Sequence, residues 1–385
     1  MNEYQPLGGK FFTTPVLILF VIAAIGMFFL AQRFIFGLGA VSNLNQGYPW
    51  GIWIVYDVLV GTALACGGYA LALMVYVLNH GVYHPLVRPA LLASVFGYTL
   101  GGFSALFDVG RYWLAYNLFL PWHMNLNSVM LEVAICVSVY TMVLWIEFSP
   151  AFIERFRLEK RLRIVNKMLF VFIALGVLLP TMHQSSLGSL LLAAGCKVSP
   201  LWQSNLLPSL FLVSALTMGF SIVMFEASLA AWGFRRPLET PLLARLSYVV
   251  SGMLAFYLTL RFADLLGRGD LGLAFAGDLQ GNMFWVENLL YALPLAILVS
   301  RANRKDPRWL FLAAVSLLLA GAVYRFNAFL IGFNPGPGFS YFPSVPEIMI
   351  TLGIIAIEIL GYIYFVKKLP VMPRLGPSQP SVDLD

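Results

Sequence analysis

Ten stretches of the chain are long and apolar enough to cross a bilayer as helices: residues 14–36, 50–78, 86–110, 124–148, 164–184, 206–231, 242–266, 281–300, 308–332 and 346–366. An α-helix rises 1.5 Å per residue, so about 20 predominantly apolar residues cover the hydrocarbon core. Polar and charged positions gather in the intervals between these runs. In lipid, backbone polar groups must be satisfied inside the spanning segment, and runs of this length do so as helices. The first run is too long for a cleavable signal peptide, and no small-residue cleavage site follows Leu30-Ala31-Gln32-Arg33. The pattern predicts an all-α polytopic membrane protein of about ten transmembrane helices.

Composition agrees. Of 385 residues, 60% are hydrophobic and 11% charged. An ordinary soluble domain carries about 25% charge. A water-soluble globule, a disordered chain and a small disulfide scaffold are therefore excluded. The net charge of +6 acquires meaning only from its placement. With ten spans both termini share a side. That side holds eighteen of the 24 Lys and Arg, including the run Arg155, Arg157, Lys160, Arg161, Arg163 and Lys167. The opposite loops hold only Arg33, Arg111, Lys197 and Arg268, while Arg261 and Arg325 lie inside spans. Positive charge marks the cytoplasmic side, so both termini are expected there, and nothing points to nucleic acid. The basic stretch 155–167 reads as a topology anchor or as a patch for lipid or a partner. The outward loops 37–50, 185–205 and 333–345 are rich in Gly, Pro, Asn and aromatics, suiting either a docking surface or the headgroup belt. The Pro-rich tail after Met372 is expected to be disordered.

The chain carries a weak internal repeat. Asn127-x4-Glu132 recurs as Asn282-x4-Glu287, Asp108 as Asp264, and Gly110-Arg111 as Gly267-Arg268, at offsets of 155, 156 and 157. Two four-helix bundles of like orientation follow, built from spans 2–5 and 6–9, with spans 1 and 10 peripheral. The expected division is residues 1–49 for the N-terminal segment and first helix, 50–205 and 206–345 for the bundles, and 346–385 for the last helix and tail.

Nine of the 18 acidic residues lie within or at the edge of a span: Asp57, Asp108, Glu132, Glu147, Glu226, Asp264, Glu287, Glu347 and Glu358. A carboxylate in hydrocarbon costs at least about 2.5 kcal/mol, so such residues face protein or water and commonly mark a proton or ion pathway. By helical rise, Asp57 sits about 10 Å and Glu132 about 12 Å from the outer face, and Glu226 about 8 Å from the inner face. Asp57, Glu132 and Glu226 are the main proton-relay candidates, with Glu147 as an inner port and Tyr98 near mid-depth. Ion-paired or neutral structural roles are the alternative for each. Arg261 and Asp264, three residues apart, are expected to pair; Arg325 has no evident local partner.

A bis-histidine haem b needs two facing imidazoles. Only His123 and His183 share a depth, and His123 sits in a Pro-Trp-His loop, so haem b is not expected. His183 suits a polar wall beside a ligand cavity, within Pro180-Thr181-Met182-His183-Gln184-Ser185-Ser186. Cys66, Cys136 and Cys196 form no C-x-x-C, so no iron–sulfur cluster on this chain and no metal site are expected. The small-residue spacings Gly97/Gly101 and Gly61/Ala65/Gly68/Ala72 read as close helix contacts.

Several longer motifs carry a resemblance. They are Gln5-Pro6-Leu7-Gly8-Gly9-Lys10, Phe36-Gly37-Leu38-Gly39, Tyr48-Pro49-Trp50-Gly51, Ala65-Cys66-Gly67-Gly68, HPLVRPALLAS at 84–94, FDVGRYW at 107–113, LLPTMHQSS at 178–186, MGFSIVMFE at 218–226 and LAFAGD at 273–278. Over nearly its whole length the chain resembles the HybB-type "b-type cytochrome" membrane subunits of hydrogenase-2-like nickel–iron hydrogenases, within the polysulfide reductase NrfD-like membrane family. The resemblance implies two four-helix bundles, no iron–sulfur cluster and generally no haem. It also implies docking to a periplasmic ferredoxin-like iron–sulfur subunit, which receives electrons from the hydrogenase large and small subunits. The electrons are exchanged with quinone, menaquinone or ubiquinone, in the bacterial inner membrane, and the hydrogenase active site lies on another chain. The family's quinone pocket lies near the periplasmic face, a depth that here matches Asp57, Glu132 and His183, with Tyr98 deeper. Quinone reduction takes two electrons and two protons, so the relay candidates acquire a purpose. A proton-coupled transporter and a haem-bearing cytochrome b anchor are the competing readings.

Overall fold

The computed structural model describes residues 4–374. Among the described residues there are ten membrane-length helices: α1 (Thr14–Phe36), α2 (Trp53–Val77), α3 (His84–Asp108), α4 (Val129–Arg155), α5 (Glu159–Ala194), α6 (Leu207–Gly233), α7 (Thr240–Arg268), α8 (Leu279–Val299), α9 (Pro307–Ile331) and α10 (Val345–Lys368). The all-helical membrane architecture read from hydropathy is thus the observed one. Helix starts follow local chemistry. Proline stands in the first turn of α1, α3, α6, α7, α9 and α10, where its missing N–H costs nothing. Ser128, Asp278, Asp306 and Ser344 cap α4, α8, α9 and α10 with side-chain oxygens.

Two boundaries depart from expectation. The outward loop expected at 185–205 is helical as far as Ala194, so α5 runs 36 residues. Its polar positions His183, Gln184 and Ser186 are buried against protein and do not reach water. Helix α4 continues to Arg155, which places Glu147 two turns inside the helix and not at its edge. Most of the basic stretch 155–167 accordingly belongs to the start of α5. There Arg161 borders an apolar surface groove lined by Phe152, Phe156, Leu158 and Ile164.

Helix α2 occupies the centre and is the most buried of the ten, packing on α3, α6 and α9. Helices α4 and α5 lie along each other, as do α8 and α9, while α5 and α9 both pack on α6. One buried hydrophobic cluster runs continuously through α2 and α5 to α9. Helices α1 and α10 pair at a close crossing, where a Cβ on Gly26 would stand 2.7 Å from the Gly353 Cα. The chain ends meet in a two-stranded antiparallel ribbon, β1 (Tyr4–Gln5) with β2 (Met372–Pro373). The first residues of the tail are therefore ordered; the expectation of disorder for 375–385 lies outside the described residues.

Candidate functional site

The backbone of α2 is irregular along its length. Residues Trp53–Val60 and Leu73–Val77 wind in wide π-helical turns, and the ladder breaks at Ala65-Cys66. There the Cys66 N–H donates to the Ala63 carbonyl at 3.2 Å, and the regular pattern resumes when Ala70 donates to Cys66 at 2.8 Å. Wide turns inside helices are frequent at functional sites. Small residues let neighbouring helices close on the break. A Cβ on Gly219 of α6 would lie 2.6 Å from the Cys66 carbonyl oxygen, and one on Gly97 of α3 would lie 2.6 Å from the Ala65 Cβ.

A buried polar cluster collects around this break. The Tyr98 hydroxyl of α3 lies 2.6 Å from Nε2 of His183 on α5, and both residues are fully buried. Cys66 Sγ stands 3.5 Å from the same hydroxyl and donates to the Thr62 carbonyl. Gln184 Nε2 donates to Thr62 Oγ1 at 3.2 Å. The Tyr140 ring meets Tyr98 edge-on, centroids 4.5 Å apart. Among the described residues, Nδ1 of His183 and Oε1 of Gln184 are buried without a partner. In the tautomer in which the Tyr98 phenol donates to Nε2, Nδ1 carries the proton, and the cluster then offers one donor and one acceptor without partners among the described residues.

Sequence reasoning named Tyr98 and His183, and the fold joins them directly. Glu132 of α4 lies close by: its Oε1 accepts from Ser186, one turn beyond His183, at 2.8 Å. Asp57 turns elsewhere. It accepts from Thr351 of α10 at 3.2 Å, and among the described residues no hydrogen bond links it to Tyr98 or His183. Both Asp57 and Glu226 lie within electrostatic range of Glu358 on α10. Glu358 also stands against Gly97, where a Cβ would come within 3.3 Å of its Oε1. Glu147 packs on Gly176 of α5, and its Oε1 is buried without a hydrogen bond among the described residues. Cys66, Thr62 and Gln184 were not singled out as site residues. For Cys66 and Gln184 the signal was adjacency, since the motifs quoted for the resemblance contain both; Thr62 lies outside those motifs.

The second half is organised by an ion pair that sequence spacing misassigned. Arg261 pairs with Glu287 of α8 at 2.9 Å and not with Asp264, which is bound by Arg268 one turn on. Residue i+3 lost because Glu287 lies inside the bundle, where Trp202 Nε1 and Asn327 Nδ2 also donate to it at 2.8 and 2.9 Å. The repeat-related Glu132 and Glu287 thus make different contacts, one with a serine and one with an arginine. His123 is exposed on its loop, whereas His183 is enclosed with its Nε2 on the Tyr98 hydroxyl.

At the α1 C-terminal end the aromatic loops knit into a cap. Asn43 and Asn45 donate to the carbonyls of Phe342 and Ser340 at 3.0 and 2.8 Å. The Tyr341 hydroxyl donates to Glu347 at 2.6 Å and accepts from the Ile52 N–H at 2.9 Å. Burial and the Glu347 carboxylate hold the Tyr341 phenol above its usual range, and burial does the same for Tyr48. Around these loops Trp113, Tyr116, Trp122, Leu126 and Phe342 stay exposed.

The profile of the polysulphide reductase NrfD family matches residues 40–334. The chain is 51% identical over 377 residues to the probable Ni/Fe-hydrogenase 2 b-type cytochrome subunit of Escherichia coli K12, covering 97% of this chain and 96% of that protein. It is 27% identical to the integral membrane subunit of menaquinone reductase from Nitratidesulfovibrio vulgaris, over 88% of this chain and 86% of that one. It is 24% identical to a selenate reductase subunit of Mesobacillus selenatarsenatis, over 93% and 94% of the two chains. The matched segment includes the break in α2, the Tyr98–His183 pair and the Glu287 network, and the chain belongs to the polysulphide reductase NrfD family.

Proposed function

We propose that this chain is the quinone-reactive membrane subunit of a hydrogenase-type oxidoreductase complex. It passes electrons between a partner iron–sulfur subunit and membrane quinone, coupled to proton transfer. The observation that carries the reading is the buried Tyr98–His183 pair with its free donor and acceptor, and Glu132 beside it. A quinone carbonyl pairs with a donor such as the His183 Nδ1–H, and a quinol hydroxyl pairs with an acceptor such as Gln184 Oε1. Two relatives support it by name, one a hydrogenase subunit and one a menaquinone reductase subunit. The second name favours menaquinone as the quinone.

Protons reach the pocket along two lines of residues in this reading. One runs from Glu226 by way of Glu358 toward Asp57 and toward Glu132, which stands beside the pocket. The other starts at Glu147 and reaches Tyr98 through Tyr140, whose ring it contacts. The exposed aromatics around the knitted loops form the docking face for the ferredoxin-like iron–sulfur subunit, and the hydrogenase large and small subunits lie beyond it. Aromatic side chains are the usual anchors of such contacts. By the positive-inside rule that face is periplasmic and both termini are cytoplasmic, in the inner membrane of a bacterium.

The test compares Glu226→Gln, Glu358→Gln and Glu132→Gln variants in the complex. Quinone-linked and dye-linked hydrogen oxidation are measured side by side. The relay predicts loss of the quinone-linked rate with the dye-linked rate retained. Equal loss with both acceptors, or no loss with either, refutes it. A reduced-minus-oxidised spectrum of the purified subunit decides the competing cytochrome reading: a stoichiometric haem signal, lost in His123→Ala and His183→Ala, overturns the pocket.

A further inference from the structure

The second half of the molecule holds a buried cluster that quinone chemistry leaves unused. Arg325 of α9 is fully buried and meets no carboxylate among the described residues. Its Nη1 donates to the Gly321 carbonyl at 3.1 Å and approaches Met218 Sδ at 3.2 Å, while Nε and Nη2 have no partner there. Three phenols from three helices stand nearby: Tyr257 of α7, Tyr291 of α8 and Tyr324 of α9. All are buried with their hydroxyls unpaired among the described residues. The Tyr257 ring lies 4.7 Å from Tyr291 and 6.0 Å from Tyr324, centroid to centroid, and all three phenols are within electrostatic range of Arg325.

The charge balance is what singles this cluster out. A guanidinium stays protonated, so Arg325 brings a fixed positive charge into the interior. The nearby acids are committed elsewhere: Glu287 to Arg261, Trp202 and Asn327, and Asp264 to Arg268. Water can satisfy hydrogen bonds but cannot neutralise charge, and an unpaired buried charge is strongly unfavourable. The unpaired groups are also mostly donors, namely two guanidinium nitrogens and three hydroxyls.

We propose that Arg325, Tyr257, Tyr291 and Tyr324 form a binding site for a small monovalent inorganic anion of halide size. One negative charge matches one guanidinium, and the closely packed rings favour a single-atom ion over phosphate or sulfate. The bound anion ties together α6, α7, α8 and α9, because Met218, Tyr257, Tyr291 and the pair Tyr324-Arg325 come from these four helices. Arg325 also lies within electrostatic range of Cys66 and His183, so the site adjoins the proposed quinone pocket but shares none of its hydrogen bonds.

Purified protein with its co-purifying subunits is melted in sodium chloride, bromide or gluconate at matched ionic strength, followed by tryptophan fluorescence. The site predicts a saturable rise of melting temperature with chloride and bromide over gluconate. Arg325→Met loses the halide response. Tyr291→Phe and Tyr257→Phe, which keep the ring, raise the half-saturating halide concentration about tenfold, as expected for one lost hydrogen bond to a charged group. These two variants carry the test if Arg325→Met does not fold. Bromide-soaked crystals show an anomalous peak in contact with Arg325 Nη2. Identical melting in gluconate and halide, phenylalanine variants with an unchanged midpoint, or non-anomalous solvent density alone beside Arg325 would each overturn the proposal.

Discussion

The Arg261–Glu287 pair gives the sharpest stability prediction. Its N–O distance is 2.9 Å, with Arg261 4% and Glu287 0% exposed. Glu287→Gln preserves side-chain volume and leaves an amide oxygen for Trp202 Nε1 and Asn327 Nδ2. What it removes is the negative charge facing Arg261. Breaking one partner of a buried ion pair costs about 3–5 kcal/mol, because the surviving charge stays buried and uncompensated. The faces of Tyr324 and Phe284, 5.0 and 5.5 Å from the Arg261 guanidinium carbon, return part of that. The expected loss is therefore near the lower bound, about 3 kcal/mol. Replacing both partners by apolar residues, as in Arg261→Met with Glu287→Leu, removes the stranded charge and costs less than Glu287→Gln alone. The assay is equilibrium unfolding of the purified protein in detergent, completed as a double-mutant cycle with Arg261→Met. A Glu287→Gln variant within about 1 kcal/mol of the parent, or a coupling near zero, refutes the ion-pair reasoning.

Further outcomes follow from packing, capping and titration. Gly219→Ala forces a Cβ to within 2.6 Å of the Cys66 carbonyl and is expected to cost about 1–3 kcal/mol. Gly252→Ala on α7 meets nothing within 4 Å and is expected to stabilise by up to about 1 kcal/mol, so thermal melting of the two variants should shift in opposite directions. Ser344→Ala removes both the N-cap of α10 and the hydroxyl that holds the Val41 carbonyl at 2.5 Å, for an expected loss of about 0.5–2 kcal/mol in the same assay. The Tyr341 phenol keeps its proton in the folded cap beyond the ordinary value of 10.0, whereas the unfolded chain releases it there. That contribution is complete below about pH 10 and is lost as the pH rises further; a pH series of melting temperatures should show the decline, and Tyr341→Phe should flatten it.

The ten spans were legible because hydrocarbon imposes length and apolarity on every crossing helix. The extension of α5 was not. Ser186 and Gly188 read as a loop by polarity, yet both are buried against other helices, and Gly188 lies where a Cβ would come 2.4 Å from the Leu207 carbonyl oxygen. Helical rise gave the depth of Tyr98 and His183, which the fold then joined. Depth alone carries no rotation about the helix axis, which is why Asp57 turned to Thr351 and Arg261 passed over Asp264 for Glu287. Glu358 stood without an assignable role in the sequence. Its surroundings emerge only from the packing of α10 beside α3, which places it near both Asp57 and Glu226.

The central claim is that the Tyr98–His183 cluster is where this chain meets quinone. The most direct test is the rate of hydrogen-dependent menaquinol formation by the purified complex carrying His183→Phe, measured beside hydrogen-dependent dye reduction. Losing the Nδ1–H removes one hydrogen bond to the quinone and one proton-handling group, so the quinone rate should fall at least about tenfold while dye reduction stays at the parent level. An unchanged quinone rate in a folded His183→Phe complex would contradict the account.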